Sequence, residues 1–270
     1  ESEPIRYTAA PGETVVIKGS EIWQPSWNRL DPDRPIFAGD LDPAIFEKER
    51  IHPYRPRLRG MPLESRLTLG QVFVDGHGLR EVDGKTELEA SPASWMADES
   101  GDRLTIHFPD GTESPGLHQI EITVRDRIFA PHRRGLGYIH VRGFTMEHCA
   151  NQFPEEFWQS KFPQAGALGC RAGHHWVIEG NTIRFAKSIG LDCGYEGAHD
   201  LEGNQPTPQN TGYHLIRKNR LIENGCCGIA GMRSFGTRIV NNTIEGNNRN
   251  RHREPETAGI KLHHFIGGQI

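Results

Sequence analysis

The feature that most constrains the fold is a short phrase that recurs between Ile178 and His263. A run of β-forming residues with an asparagine at its centre appears at Asn181, Asn219 and Asn242. A Gly followed by an aliphatic residue comes nine residues after the first two asparagines (190 − 181 and 228 − 219) and seventeen after the third (259 − 242). Self-similarity with a period of roughly 20–50 residues is typical of solenoids. Because no 3.6-residue period accompanies it, the pattern predicts strands rather than helices.

One such unit cannot bury its apolar side alone, so successive units are expected to stack like on like around a continuous core. This predicts an all-β chain whose main architecture is a right-handed parallel β-helix of the pectate-lyase-like kind. The asparagines would stack at a bend between strands, because Asn tolerates positive φ and its amide can hydrogen-bond from coil to coil. The predicted inward stacks are Leu191, Ile229 and Ile260, and Ile183, Leu221 and Ile244.

The outer face of these coils is the predicted functional surface. Side chains alternate between the two faces of a strand, so the residue after each inward aliphatic residue faces outward. The predicted outward rows are Asp192, Ala230 and Lys261, and Gly194, Met232 and His263. We interpret these rows as the floor of a groove for an extended polymer, with Asp192, Lys261 and His263 as substrate-binding candidates.

Composition excludes several classes of partner. The 270 residues include 31 Lys and Arg against 35 Asp and Glu, a formal net charge of −4. This mildly acidic balance argues against nucleic-acid binding, which requires a basic stripe. No apolar run approaches 18 residues, so the sequence predicts no membrane-spanning helix. The five cysteines are irregularly spaced, which favours buried free thiols over a disulfide framework or a zinc site.

The repeat is interrupted between about residues 19 and 127. Two strands around residues 5–10 and 14–18 precede the interruption, and the repeat phrase returns after residue 128. The interruption contains short alternating strands, which predict an antiparallel sandwich. We therefore predict first β-helix strands at 1–18, an inserted antiparallel β-sandwich at 19–127, and β-helix coils at 128–270.

Two loops of the predicted coils carry residue types suited to ligand binding. The rings of the loop at 150–172 either form a wall of a sugar-binding cleft or pack the loop onto the scaffold. They are Phe153, Phe157, Trp158 and Phe162. The loop at 194–212 is acidic and follows Asp192 directly. Calcium prefers such oxygen ligands. We expect no metal or cofactor, and calcium held by Asp192, Glu196, Asp200 and Glu202 is the alternative.

Several stretches resemble the β-xylosidases of glycoside hydrolase family 120. They are residues 5–13, 15–21, 71–76 and 138–146, and above all the phrase Ala-Gly-Ile-Lys-Leu-His at 258–263. The resemblance spans most of the chain in order. It implies a right-handed β-helix with an intertwined β-sandwich. It also implies a retaining enzyme that removes xylose from plant or algal xylo-oligosaccharides. Retention uses two carboxyl groups about 5–5.5 Å apart.

The same resemblance assigns residues around the phrase at 258–263. It implies that Glu256 binds substrate, although the family carries His before this Glu and this chain has Pro255. The family's nucleophilic Asp and acid/base Glu lie on coils after the phrase, so we expect the catalytic pair beyond Ile270. No catalytic residue is assigned within this chain. We also expect a β-helix that is open at both ends, whose uncapped strand edges favour homo-oligomers.

Two alternatives stay open. A polysaccharide lyase of the parallel β-helix type would use Lys261 with His263 as base and would neutralise a uronate with Arg or calcium. An acidic row at Asp192 and Glu256 opposes uronate binding. A non-catalytic glycan-binding β-helix would bind without turnover. In each case the expected partner is an oligosaccharide or polysaccharide. The expected location is secreted or periplasmic, with the cytoplasm as the alternative.

Overall fold

The computed structural model describes residues 3–47, 51–55, 68–151, 165–196, 206–251 and 257–270. Over these ranges the chain is almost entirely strands and turns, which confirms the all-β prediction. The described part also contains one α-helix, α1 (Lys85–Ala90), and 3-10 turns at Pro43–Phe46 and Pro115–Leu117. None of its helices is long or apolar enough to cross a bilayer. The chain divides into two compact units, Glu1–Gly19 with Arg127–Ile270, and Ser20–Asp126.

The first unit contains three parallel sheets. Sheet 1 consists, in spatial order, of β1 (Ile5–Thr8), β12 (Ile139–Arg142), β15 (Val177–Glu179), β18 (Leu215–Arg217) and β21 (Arg238–Val240). Sheet 2 consists of β2 (Val15–Lys18), β13 (Phe144–Glu147), β16 (Thr182–Arg184), β19 (Arg220–Ile222) and β22 (Thr243–Glu245). Sheet 3 consists of β14 (Gly166–Gly169), β17 (Ile189–Asp192), β20 (Cys227–Met232) and β23 (Ala258–His263).

The chain visits these sheets in rotation, so each passage from β12 to β23 adds one strand to sheet 1, then to sheet 2, then to sheet 3. The register confirms both predicted inward stacks. Leu191 pairs with Ile229 and Ile229 with Ile260, while Ile183 pairs with Leu221 and Leu221 with Ile244. These aliphatic side chains belong to one apolar core or pack against it. All five cysteines are buried free thiols, as predicted.

The repeated asparagines form a hydrogen-bonded ladder, which confirms the predicted stack. Asn181 Nδ2 donates to Asn219 Oδ1 at 3.1 Å, and Asn219 Nδ2 donates to Asn242 Oδ1 at 3.0 Å. The expectation that these asparagines take positive φ is wrong, because the residue before each one takes it instead. Those residues are Gly180, Lys218 and Asn241. The turn at that position directs the next backbone N–H along the stack, and Asn181 N donates to Asn219 Oδ1 at 3.0 Å.

A second ladder, which the sequence reading missed, lies five residues further along each coil. Asn224 Nδ2 donates to Asn247 Oδ1 at 3.0 Å, and the backbone N–H of Ala186 donates to Asn224 Oδ1 at 3.1 Å. Again the preceding residues, Glu223 and Gly246, have positive φ. The sequence contains the pattern of this ladder: an Asn follows five residues after Asn219 and five residues after Asn242. Five residues after Asn181 the chain has Ala186 instead.

The second unit contains two mainly antiparallel sheets. Sheet 4 consists of β4 (Asn28–Arg29), β5 (Ile36–Asp40), β10 (Arg103–His107), β9 (Ser94–Ala97) and β8 (Arg80–Glu81). Sheet 5 consists of β3 (Ser20–Ile22), β11 (Ile120–Thr123), β6 (Val72–Val74) and β7 (His77–Gly78). Both sheets contribute to one apolar cluster, for example Trp95 and Ile106 from sheet 4 and Val72 and Ile122 from sheet 5.

Replacing Asn219 with Ala is expected to lower the free energy of unfolding by about 2–3 kcal/mol, because it leaves several buried polar groups without partners. The Asn219 side chain bonds to Asn181 and Asn242 and to the carbonyl oxygen of Ile178. Urea denaturation followed by circular dichroism measures the change. Exposed Asn28 provides the control, since its replacement by Ala is expected to change stability by less than about 0.5 kcal/mol. Equal losses in the two variants would contradict a stabilising ladder.

Candidate functional site

The predicted outward rows are in register on sheet 3. Asp192 pairs with Ala230 and Ala230 with Lys261, while Met232 pairs with His263. Lys261 and His263 therefore lie two residues apart on the same strand, β23. Both are partly buried. Burial lowers the pKa of Lys261 and the pKa of His263 below their ordinary values, so both groups give up a proton more readily than in water.

Asp192 lies on the predicted row but beneath the surface. Its exposure is 0%, whereas the groove interpretation placed it on a solvent-facing floor. Asp192 Oδ1 accepts a hydrogen bond from Gly194 N at 3.0 Å. Burial, and then the neighbouring carboxylate of Glu196, raise the pKa of Asp192 well above its usual value. Alternation along the strand identified the correct side of the sheet, but it carries no information about what covers that side.

One buried carboxylate lies among three guanidinium groups. We call this group the Glu196 cluster: Glu196, Arg127, Arg134 and Arg171. Glu196 has 0% exposure. Arg127 Nη1 donates to Glu196 Oε1. Arg171 Nε and Arg134 Nη1 lie 3.4 Å and 3.8 Å from Glu196 Oε2. The sequence reading considered Glu196 only as a calcium ligand. Its guanidinium partners already occupy the carboxylate and disfavour a cation there.

The cluster also fixes the chain around it. The Arg134 guanidinium lies 4.5 Å from the centre of the Tyr195 ring and donates to the carbonyl oxygens of Tyr195 and Glu196. Arg171 Nη1 donates to the carbonyl oxygens of Pro131 and His132 at 2.8 and 3.1 Å. The segments after β14 and β17 are therefore tied to the stretch that leads into β12.

A small apolar cluster adjoins the Asp192 row. It consists of Ile189, Cys226, Cys227 and Ala230 and is separate from the main core. Burial raises the pKa of Cys227 to about 12, so this thiol stays protonated. Lys261 is near both cysteines, since each contributes to its electrostatic environment. Along the row, the buried Ala230 of this cluster therefore lies between the buried Asp192 and the partly exposed Lys261.

Several predicted site residues lie outside the described residues. They are Glu256, Asp200, Glu202 and the aromatic residues Phe153, Phe157, Trp158 and Phe162. Of the predicted calcium ligands, only Asp192 and Glu196 are described. Among the described ranges, no group of three or more His, Cys, Asp or Glu is arranged to hold a metal ion.

The chain is similar to a solved structure but to no known family profile or curated sequence. No protein-family profile and no curated protein sequence matches the chain. A solved structure described as the complex of XylC with xylose matches with a TM-score of 0.82 and 27% sequence identity over 99% of this chain. The resemblance to family-120 β-xylosidases is confirmed. This chain spans 48% of the XylC chain, about half its length.

A second solved structure, described as a glycoside hydrolase, matches with a TM-score of 0.52 over 87% of this chain and 64% of the other. Its sequence identity is 11%, so it supports the fold alone. The XylC match has a higher sequence identity, 27%, and covers 99% of this chain.

Proposed function

We propose that this chain provides the sugar-binding coils of a glycoside hydrolase that acts on xylo-oligosaccharides. The observation that carries the proposal is the match over 99% of the chain to a structure that holds xylose. The reaction, cleavage by a retaining double displacement with two carboxyl groups, is proposed for the whole protein. Residues 1–270 are assigned the binding of sugar, through Lys261, His263 and Glu256, with Asp192 supporting the row from below.

The architecture that supports this role is inferred to be a right-handed parallel β-helix formed by the first unit, with the second unit as an inserted antiparallel β-sandwich. The rotation of the chain through sheets 1, 2 and 3 supports the first inference. The shared apolar cluster of sheets 4 and 5 supports the second. In such a scaffold, successive strands of sheet 3 present their outward rows at about 4.8 Å intervals.

Replacing Lys261 with Met is expected to weaken xylobiose binding about tenfold to a hundredfold, because a hydrogen bond to a charged group contributes about 1.5–3 kcal/mol. Isothermal titration calorimetry of the full chain with xylobiose measures the change. Lys218 provides a matched control, because it lies just after β18, its side chain is 64% exposed, and its replacement by Met leaves sheet 3 intact. Absence of xylobiose binding by the unmodified chain would contradict the proposed function.

A polysaccharide lyase is the second candidate. Two structural observations support the lyase more strongly than the sequence alone did. Burial lowers the pKa of Lys261, as a general base requires. The raised pKa of Asp192 also favours its neutral form, which repels a uronate less than a carboxylate does. A gain in ultraviolet absorbance from an unsaturated product on polygalacturonate would favour the lyase. Xylobiose binding without turnover by the whole protein would favour a non-catalytic glycan-binding role.

A further inference from the structure

The turn that leads into sheet 1 carries a column of stacked rings on three successive coils. Tyr138, His175 and Tyr213 take the same place in this turn, since each lies two residues before a strand position that is in register with the next. All three have positive φ. The His175 ring lies 5.1 Å from the Tyr138 ring and 5.1 Å from the Tyr213 ring, at interplanar angles of 20° and 16°. His175 is exposed, so its ring is held between two others and still reaches solvent.

A second imidazole, that of His174, stands across the end of this column. Its ring is 84° from the plane of the His175 ring and 86° from that of the Tyr138 ring. A Cβ built on Gly137 would overlap the His174 ring, so the absence of a side chain at 137 lets the imidazole lie there. The neighbours of His174 and His175 therefore fix the orientation of both rings.

The two imidazoles meet through their Nδ1 atoms, which are 3.0 Å apart. Metal–nitrogen bonds to histidine are about 2.0–2.1 Å long, so an ion bound to both nitrogens at this separation would see them at an angle of about 90–97°. That angle suits neighbouring ligands in square-planar or octahedral coordination and is smaller than the tetrahedral angle of about 109°. Cu²⁺ and Ni²⁺ favour square-planar or tetragonal nitrogen ligation.

We propose that His174 and His175 form a binding site for a divalent transition-metal ion of the Cu²⁺ or Ni²⁺ class. The site lies away from the sugar-binding residues of sheet 3 and does not depend on the proposed function. Both imidazoles bind the ion in their neutral form. The proton between the two Nδ1 atoms leaves through solvent for Nε2 of the same ring, so each Nε2 then carries one. No third His, Cys, Asp or Glu of the described ranges is arranged to join them, and water completes the coordination.

The experiment titrates the full chain with Cu²⁺ at about pH 7.5, where imidazoles with the ordinary pKa of about 6.5 are neutral. Competition with a chelator gives the affinity, and electron paramagnetic resonance reports the nitrogen ligands. The first equivalent is expected to bind at least tenfold more tightly than later ones, through two imidazole nitrogens. His175→Asn is expected to weaken it at least tenfold and to leave one. Gly137→Ala keeps both imidazoles but displaces His174, and a misplaced ligand weakens metal binding by about tenfold to a hundredfold.

His132→Asn is the matched control, because His132 is also exposed and its loss is expected to leave the first equivalent unchanged. If His175→Asn fails to fold, carbethoxylation of the unmodified chain, followed by peptide mass spectrometry, replaces it. One equivalent of Cu²⁺ is then expected to protect His174 and His175 but not His132. Equal protection, an unchanged affinity in His175→Asn, or an equal loss in His132→Asn overturns the site. Unchanged binding by Gly137→Ala overturns the fixed geometry on which it stands. Equivalents of equal affinity would mean an adventitious ion only, and would overturn it too.

Discussion

Replacing Glu196 with Gln is expected to lower the free energy of unfolding by about 3 kcal/mol. The carboxylate is fully buried among the guanidinium groups of Arg127, Arg134 and Arg171. Gln retains the shape but removes the negative charge, so the guanidinium groups lose their counter-charge. The loss lies at the lower end of the range for a broken buried ion pair, because the arginine side chains keep 15–19% exposure. Urea denaturation at pH 7 and fixed ionic strength measures it.

Glu245→Gln provides the control for that loss. The Glu245 side chain is 62% exposed, and its carboxylate lies 3.9 Å from Arg220 Nη2, so its pair is a surface contact. Such pairs contribute about 0–1 kcal/mol because water and salt screen them. If Glu196→Gln destabilises the chain no more than Glu245→Gln does, the Glu196 cluster does not hold the segment between Gly194 and Glu196.

The stacked part of the fold could be predicted because its determinants repeat along the chain. Asn219 lies 38 residues after Asn181 and 23 residues before Asn242, and each bonds to its neighbour through the same pair of atoms. A residue type that recurs beside the same apolar neighbours specifies register without any long-range information. For the same reason Leu191 and Ile229 could be placed inside before the structure was known. The second ladder was not predicted, because Ala186 takes the place of its Asn in the first coil.

The Glu196 cluster could not be predicted, since its members share no spacing. Arg127 and Arg134 precede Glu196 by 69 and 62 residues, and they come from a stretch that the repeat does not include. Their meeting depends on how that stretch crosses the end of β14. Asp192 is buried close to this cluster, since the Glu196 carboxylate contributes to raising its pKa. A period-2 pattern assigns a side chain to a face of the sheet, and only the three-dimensional path of other segments decides whether that face is open.

Acidification is expected to destabilise the chain steeply between pH 6.5 and pH 3, because two buried histidines stay neutral in the folded state. Burial lowers the pKa of His214 to about 3, and burial with the nearby charges of Lys18, Arg184 and Arg249 lowers the pKa of His148 to about 3. In the unfolded chain both titrate near pH 6.5. The unfolded state therefore binds more protons below that pH. The stability is fully present above pH 6.5 and falls by about 1.4 kcal/mol per pH unit for each histidine.

His214→Asn separates this contribution from that of the carboxylates, which also lose stabilising charge in acid. His214 Nδ1 accepts a hydrogen bond from Trp176 N at 3.2 Å, and the Asn side-chain oxygen can replace it as acceptor. Unfolding free energies at pH 4, 5, 6 and 7 should show a slope about 1.4 kcal/mol per pH unit shallower in this variant than in the unmodified chain. Exposed His132 serves as the control, and its replacement by Asn should leave the slope unchanged. An unaltered slope in His214→Asn would mean that His214 takes up its proton in the folded state, which requires that water or an acidic group reaches the interior beside Trp176.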